Sequence, residues 1–293
     1  MATELLTDLK PDLARVVDYL LGGTDSYASD RDLAERVKAA YGRPPDGQMC
    51  APAERAARVR LFDTRAANWL GHEGVRQVIC LTPSLPCRYE PEGCPPLVPV
   101  HAAAPRSRVA YVLADPLSVP AAKLMTATAG HVTVACADPA DPDAVLGNTD
   151  VRNLIDVARP FLLLTGPLVQ YMCADRAREV IGGYAARLPA GSWLALCSVL
   201  HREMPDGLTG VAFETGYRDH ARETVLSFFA GLDVMPPGIS PVRGWGPEPL
   251  EPEGPAVVLA GMAKRTAPGR CSFRVTGSLP SLASHTTRAS LMT

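Results

Sequence analysis

Arg108-Val109-Ala110-Tyr111-Val112-Leu113, then Pro120 to Ala129, then His131-Val132-Thr133-Val134-Ala135-Cys136 decide the fold. The two outer runs are short, almost wholly apolar and rich in β-branched residues, which suits strands buried on both faces. The stretch between them reads as a helix stopped at Gly130. Strand, helix, strand in that order is the unit from which a parallel sheet covered on both faces is built.

The same texture extends in both directions. Further strands are predicted at Gln77 to Leu81, Pro160 to Thr165, Ser192 to Val199 and Ala256 to Ala263, with another near Leu232 to Met235. Helices are predicted at Asp141 to Ala158, Asp175 to Leu188 and Thr215 to Phe229, and Pro189 marks one boundary. Before Val75 the pattern is helical. Leu13, Val16, Val17, Leu20 and Leu21 share one face and Gly22-Gly23 stops that helix. A second helix starts at Ser29, with Asp32 three residues on as an acidic capping box, and ends at Gly42 and Pro44. A third runs from Pro52 through Val59, Phe62, Ala66 and Trp69 to Gly71. The organisation expected is an N-terminal helical extension over 1–74, an α/β domain over 75–264, and a disordered Ser/Thr/Arg/Pro-rich tail over 265–293. Pro236 to Pro255 is the longest loop, and its Trp245 serves either as a lid over a pocket or as an anchor on the sheet edge.

A chain of 293 residues with 47% apolar and 20% charged side chains can bury one substantial core. Its formal charge of −2 gives no electrostatic reason to expect nucleic acid. No apolar run approaches the roughly 20 residues that span a bilayer, and Met1 to Leu9 does not read as a secretion signal. A cytoplasmic protein without membrane partners is expected. The eight cysteines form no C-x-x-C pair and read as reduced thiols. Cys87, Cys94 and His101 lack the tight spacing of zinc ligands, so no metal is expected.

Ala14-Arg15-Val16-Val17-Asp18-Tyr19-Leu20-Leu21-Gly22-Gly23-Thr24-Asp25-Ser26-Tyr27, continuing to Asp30-Arg31, closely resembles the opening of an actinobacterial S-adenosyl methyltransferase family. That opening usually reads Ala-Arg-(Val/Ile/Met)-Tyr-Asp-Tyr-Leu-Leu-Gly-Gly-Lys-Asp-Asn-Phe. Later segments match in order: Gly74-Val75-Arg76-Gln77, Asp138-Pro139-Ala140-Asp141-Pro142, Arg187 to Ser192, and Gly231-Leu232 through Val242 and Trp245. Together the resemblance covers residues 11 to about 264. It implies a Rossmann-like, seven-stranded, mostly parallel sheet of the class I methyltransferase type, with S-adenosylmethionine across the carboxyl ends of the first strands.

Against that pattern the cofactor elements depart. The family's Asp-Ile-Gly-Thr-Gly-Leu-Pro-Thr after the first strand is here Cys80-Leu81-Thr82-Pro83-Ser84-Leu85-Pro86-Cys87, without the acidic residue or either glycine. Pro83 removes a backbone donor where glycine would supply one. Pro91, Pro95, Pro96 and Pro99 interrupt the helix that should follow. The family's Val-Asp-Asn-Asp-Pro after the second strand is Val112-Leu113-Ala114-Asp115-Pro116, so the first carboxylate is lost and Asp115 remains. A charged hydrogen bond is worth about 1.5–3 kcal/mol, so this loss weakens binding by roughly tenfold to a hundredfold. Asp138 is retained on the adenine side, and Gln170 stands near the family's histidine after the fourth strand.

The resemblance implies a methyltransferase acting on a small-molecule acceptor, with Tyr19, Gly22, Gly23, Asp25, Thr82, Ser84, Asp115 and Asp138 as candidate cofactor residues. Thr82 and Ser84 hydroxyls would replace glycine-loop donors, and Tyr19, Asp25 and His201 are candidate bases. No catalytic residue is singled out. The alternative is a methyltransferase fold kept as a binding or regulatory module for a protein partner.

Overall fold

The computed structural model describes residues 10–43, 49–91, 96–201, 205–245 and 256–267. Three helices lead: α1 (Leu13–Leu20), α2 (Ala28–Tyr41) and α3 (Ala51–His72). Then come β1 (Gln77–Cys80), α4 (Val100–Ala103), β2 (Arg108–Leu113), α5 (Ser118–Thr126) and β3 (Val132–Cys136). They are followed by α6 (Pro142–Leu146), α7 (Thr149–Leu154), β4 (Leu162–Leu164), α8 (Ala174–Arg187) and β5 (Trp193–His201). The chain closes with α9 (Leu208–Thr215), α10 (Arg222–Ser227), β6 (Asp233–Val234), β7 (Ser240–Pro241) and β8 (Ala256–Lys264).

The sheet order is β3-β2-β1-β4-β5-β8-β6, with β7 also paired to β8. Strands β1 to β5 are parallel, while β8 runs antiparallel to β5, β6 and β7. The sheet is therefore the mostly parallel Rossmann-like one expected, with the two-residue β7 as an eighth strand. Chain direction across the sheet reverses between β1 and β4, and the crevice at the strands' carboxyl ends there is where open α/β sheets bind ligands.

Both faces are buried, as the uninterrupted apolar strands require. One face carries Phe62, Ala66 and Leu70 of α3 against Val78, Val109 and Leu162. The other carries Val180, Ile181 and Tyr184 of α8 against Ile79, Leu163 and Leu194. Trp245 is an anchor: it is buried, donates its indole N–H to the Ala260 carbonyl at 3.1 Å, and meets Phe62 edge to face.

Several boundaries differ from the sequence reading. The helix expected over 141–158 is two, because Gly147 ends α6 and the Asn148 side chain accepts from the Asp150 and Val151 N–H groups to start α7. The helix expected over 215–229 is shorter, with only α10 (Arg222–Ser227) inside it, and α9 (Leu208–Thr215) ahead of it is a helix the sequence reading did not include. Gly216, at φ 73°, ends α9, and α10 begins at Arg222. Helix α2 begins at Ala28 rather than being capped by Ser29, since Asp30 reaches back to accept the Tyr27 N–H at 2.8 Å. Only the single turn of α4 follows the proline-rich stretch. The chain stays paired at Arg265, whose N–H donates to the Ser192 carbonyl and whose carbonyl accepts from Gly191. The remainder of the expected tail, 268–293, lies outside the described residues.

Candidate functional site

At the carboxyl end of β1 the chain turns through Thr82-Pro83-Ser84. Thr82 and Ser84 are buried, and their hydroxyls are engaged by α3: Thr82 donates to Asp63 at 2.6 Å, and Arg60 donates to Ser84. Arg60 also donates to the Leu85 and Cys87 carbonyls at 2.9 and 2.7 Å, and its guanidinium lies 4.7 Å over the Tyr89 ring. Two polar atoms are left over. Asp63 Oδ1 and Arg60 Nε are buried and have no partner. Burial pushes the Asp63 carboxyl up to about 7, partly offset by the Thr82 hydrogen bond and the Arg60 charge. Both side chains line a cavity of about 20 Å³ with Cys80, Thr82, Ser84 and Tyr111. Close by, Gly166 after β4 sits at φ 52°, and a Cβ there would come within 2.6 Å of the Thr82 hydroxyl.

The turn closing α1 is tied to this loop through Asp18. Its carboxylate accepts from the Tyr89 hydroxyl at 2.8 Å and the Asp25 N–H at 2.8 Å, while Cys87 Sγ lies 3.7 Å away. A Cβ on Gly23 would lie 2.2 Å from that carboxylate, so only glycine fits. Gly22, at φ 88°, makes the turn. Asp115 is held apart from this cluster. Arg15 donates to it, to Ser118 at 3.1 Å and to the fully buried Asp30 at 2.7 Å, docking α1 and α2 onto the end of β2.

A larger cavity of about 160 Å³ lies beside α3, away from Arg60 and Asp63. Its walls are Leu13, Val16 and Leu20 of α1, Leu33 and Val37 of α2, Ala56 and Val59 of α3, Val199 of β5, and Leu208 and Val211 of α9. Gln170 closes it at the segment following β4. Tyr41 and Arg55 bring polar atoms to its edge, with the guanidinium 4.2 Å from the Tyr41 ring centre. Behind them, the Tyr41 hydroxyl meets His201 Nε2, and His201 Nδ1 lies 3.0 Å from both Asp219 oxygens. The ladder is fixed by the Asp219 carboxylate also accepting the His201 N–H at 3.0 Å. Burial raises the Tyr41 hydroxyl to about 12.

The structure thus gathers Thr82 and Ser84 in one small cavity and brings Gly22, Gly23 and Asp25 toward the same loop through Asp18. Tyr19 turns to α2, donating to Glu35 at 2.8 Å. Asp138, exposed after β3, accepts the Ala140 N–H at 2.8 Å. Among the described residues no group of histidine, cysteine or acidic side chains is placed to hold a metal ion. The six described cysteines are free thiols. The sequence reading missed Arg60, Asp63, Tyr41, Arg55 and Asp219. Asp63 did carry a signal: it lies four residues after Val59 and seven before Leu70, on the buried stripe of α3, where a carboxylate needs a reason.

The sequence matches the family model described as S-adenosyl methyltransferase over residues 2–266. Among solved structures, a candidate methyltransferase from Thermobifida fusca YX is 28% identical, with a TM-score of 0.74 over 89% of this chain and 97% of its own. A DUF574 family protein from Streptomyces avermitilis is 24% identical, with a TM-score of 0.71 over 89% of this chain and 99% of its own. No curated protein matches the sequence.

Proposed function

Because the chain belongs to the S-adenosyl methyltransferase family, we propose that it holds the amino-acid end of S-adenosylmethionine at the carboxyl end of β1 and a small-molecule acceptor in the apolar cavity beneath α1 to α3. One observation carries this reading. The amino-acid end of the cofactor presents an ammonium and a carboxylate, and the β1 end offers an unpartnered carboxylate oxygen on Asp63 and an unpartnered N–H on Arg60. Unpaired polar atoms buried in protein are costly, so these two invite a ligand of complementary charge. Asp63 comes from α3 to the neighbourhood of Cys80, where the family pattern has its acidic residue on the strand itself.

The charges fit, and the room is small. A cavity of about 20 Å³ holds roughly one water, whereas cofactor pockets run to about 300 Å³ and more. Uptake therefore displaces the Leu85–Cys87 segment, whose hold on Arg60 is two hydrogen bonds. In this assignment Thr82 and Ser84 stay beside the amino-acid end, the Gly22-Gly23-Asp25 turn covers it through Asp18, and Asp138 faces the nucleoside side. Tyr19 and Asp115 serve the scaffold.

When bound, the cofactor supplies a methyl group activated on a sulfonium. Transfer from such a centre depends on alignment and dry surroundings more than on acid–base chemistry. The chain contributes the apolar walls of α1, α2, α3 and α9, which exclude water from the acceptor. The cytoplasmic assignment rests on the free thiols, which suit a reducing compartment.

Thermal unfolding with S-adenosylhomocysteine tests the reading. At a ligand concentration a hundred times Kd the fold gains about 2.7 kcal/mol, a rise of several degrees for a chain of this size. An unchanged midpoint at millimolar ligand would sink it and leave the binding-module alternative.

A further inference from the structure

The apolar cavity has the capacity of one six-membered ring: an aliphatic cavity of about 150 Å³ takes up benzene, and this one measures about 160 Å³. Its polar groups converge at one edge. Gln170 is not among them, because its amide is spent on the backbone, donating to the Val199 carbonyl at 3.0 Å and accepting the Val199 N–H at 2.6 Å. Thr215 likewise donates to the Val211 carbonyl at 2.8 Å. Three tyrosines also line it, Tyr41, Tyr171 and Tyr217, and Tyr41 is the one whose hydroxyl meets His201, with Arg55 against its ring.

Four separate parts of the chain meet there: the end of α2 supplies Tyr41, α3 supplies Arg55, the end of β5 supplies His201, and the segment after α9 supplies Asp219. An Asp219 carboxylate on Nδ1 fixes the histidine tautomer with Nδ1 protonated, which leaves Nε2 as an acceptor for the Tyr41 hydroxyl. The imidazole is held between Tyr41, stacked at 5.8 Å, and Tyr217, edge-on at 6.0 Å. Plain packing of a tyrosine needs neither a buried histidine acceptor nor a carboxylate behind it.

We propose that this cavity takes a small aromatic acceptor bearing an acidic hydroxyl, and that Tyr41, backed by His201 and Asp219, accepts the hydroxyl proton while Arg55 faces the phenolate. The proposal rests on the methyl-transfer reading and deepens it. The acceptor O–H bond breaks and its proton goes to the Tyr41 oxygen, as the proton of Tyr41 passes to His201 Nε2. The imidazolium so formed faces Asp219, and the electron pair left on the acceptor oxygen makes it a nucleophile. Tyr41 touches the acceptor; His201 and Asp219 act through it.

The probe is 4-nitrophenol, one ring in size, whose ionised form has its own visible absorption band; nitrobenzene is its hydroxyl-free control. The full chain is titrated with each, without cofactor, below the pH at which free 4-nitrophenol ionises. The expected result is saturable binding of both, with the bound phenol showing the phenolate band. In Tyr41→Phe and His201→Gln that ionised fraction falls by about tenfold, one pKa unit of lost stabilisation, while nitrobenzene affinity is unchanged and reports an intact cavity. Arg55→Met lowers phenolate binding alone. A bound phenol that stays neutral in the parent protein, or an absence of saturable binding of either probe, overturns the proposal. Failure of S-adenosylhomocysteine to bind would instead count against the methyl-transfer reading, because the phenol titration contains no cofactor.

Discussion

Arg15 shows how much of this fold hangs on single side chains. It is 3% exposed and bridges Asp30 and Asp115 from two distant stretches, while Asp30, fully buried, also accepts the Asp12 and Tyr27 N–H groups at 2.8 Å each. Removing one partner of a buried pair costs about 3–5 kcal/mol, because the other charge is stranded. Arg15→Met should therefore lose that much stability in urea unfolding, and a loss within the surface-mutation range, about 0.5 kcal/mol, would show that the cluster is dispensable. Asp63 predicts the opposite sign of pH dependence from an ordinary carboxylate. Its folded value of about 7 lies above the ordinary value of 3.8, so between the two the folded state holds more protons than the unfolded chain. Stability then falls as pH rises through that window and levels off above it. Asp12 and Asp18, also raised by burial, add to the slope in the same direction. Asp63→Asn should flatten the dependence and unfold at higher urea than the parent near about pH 8; an unaltered slope would contradict the assignment. At this scale the sequence was least legible. Asp63 and Arg60 meet Thr82 and Ser84 across some twenty residues of chain, and no periodicity encodes which side chains meet.

Strand β5 extends past its parallel neighbour: β4 ends at Leu164, paired with Ala195, whereas β5 runs on to His201. Gln170 takes over at the exposed flank, with its amide bonding both the N–H and the carbonyl of Val199 and accepting the Ser198 hydroxyl at 3.1 Å. Gln170→Leu keeps the volume but leaves those backbone groups unpaired, at about 1–3 kcal/mol each. Hydrogen exchange should show faster exchange at Val199 in that variant, with the β1 amides unchanged. Equal protection at Val199 would mean that Gln170 does not secure the strand. The strands themselves were readable because full burial on two faces leaves an unbroken apolar run, as in Leu162–Leu164 and in Val109 to Leu113. Helices in the crossovers were less so. Asp141 to Ala158 is continuous in composition, and a single glycine, Gly147, decides that it is broken, while Gly216 ends α9 where a helix was expected to begin.

Across the whole molecule, the strand order places β1 and β4 at the point where the chain reverses direction, and both cavities lie at the carboxyl ends of strands around it, one lined by Pro52 to Val59 of α3 and the other by Arg60, Asp63 and Thr64. That arrangement followed from the order of strands and helices and from the N-terminal resemblance, which is why the fold was legible from sequence. The site was legible only as a place. Its departures from the family pattern, at Cys80, Thr82, Ser84 and Leu113, could be read, while the pairing of Thr82 with Asp63 of α3 exists only in the folded chain. The most direct test is isothermal titration of S-adenosylmethionine into the full chain and into Asp63→Asn. The account predicts saturable binding to the parent protein and affinity weaker by about tenfold to a hundredfold in the variant, the worth of one charged hydrogen bond. Equal affinity in the two proteins, or no saturable heat from the parent at millimolar cofactor, would contradict it.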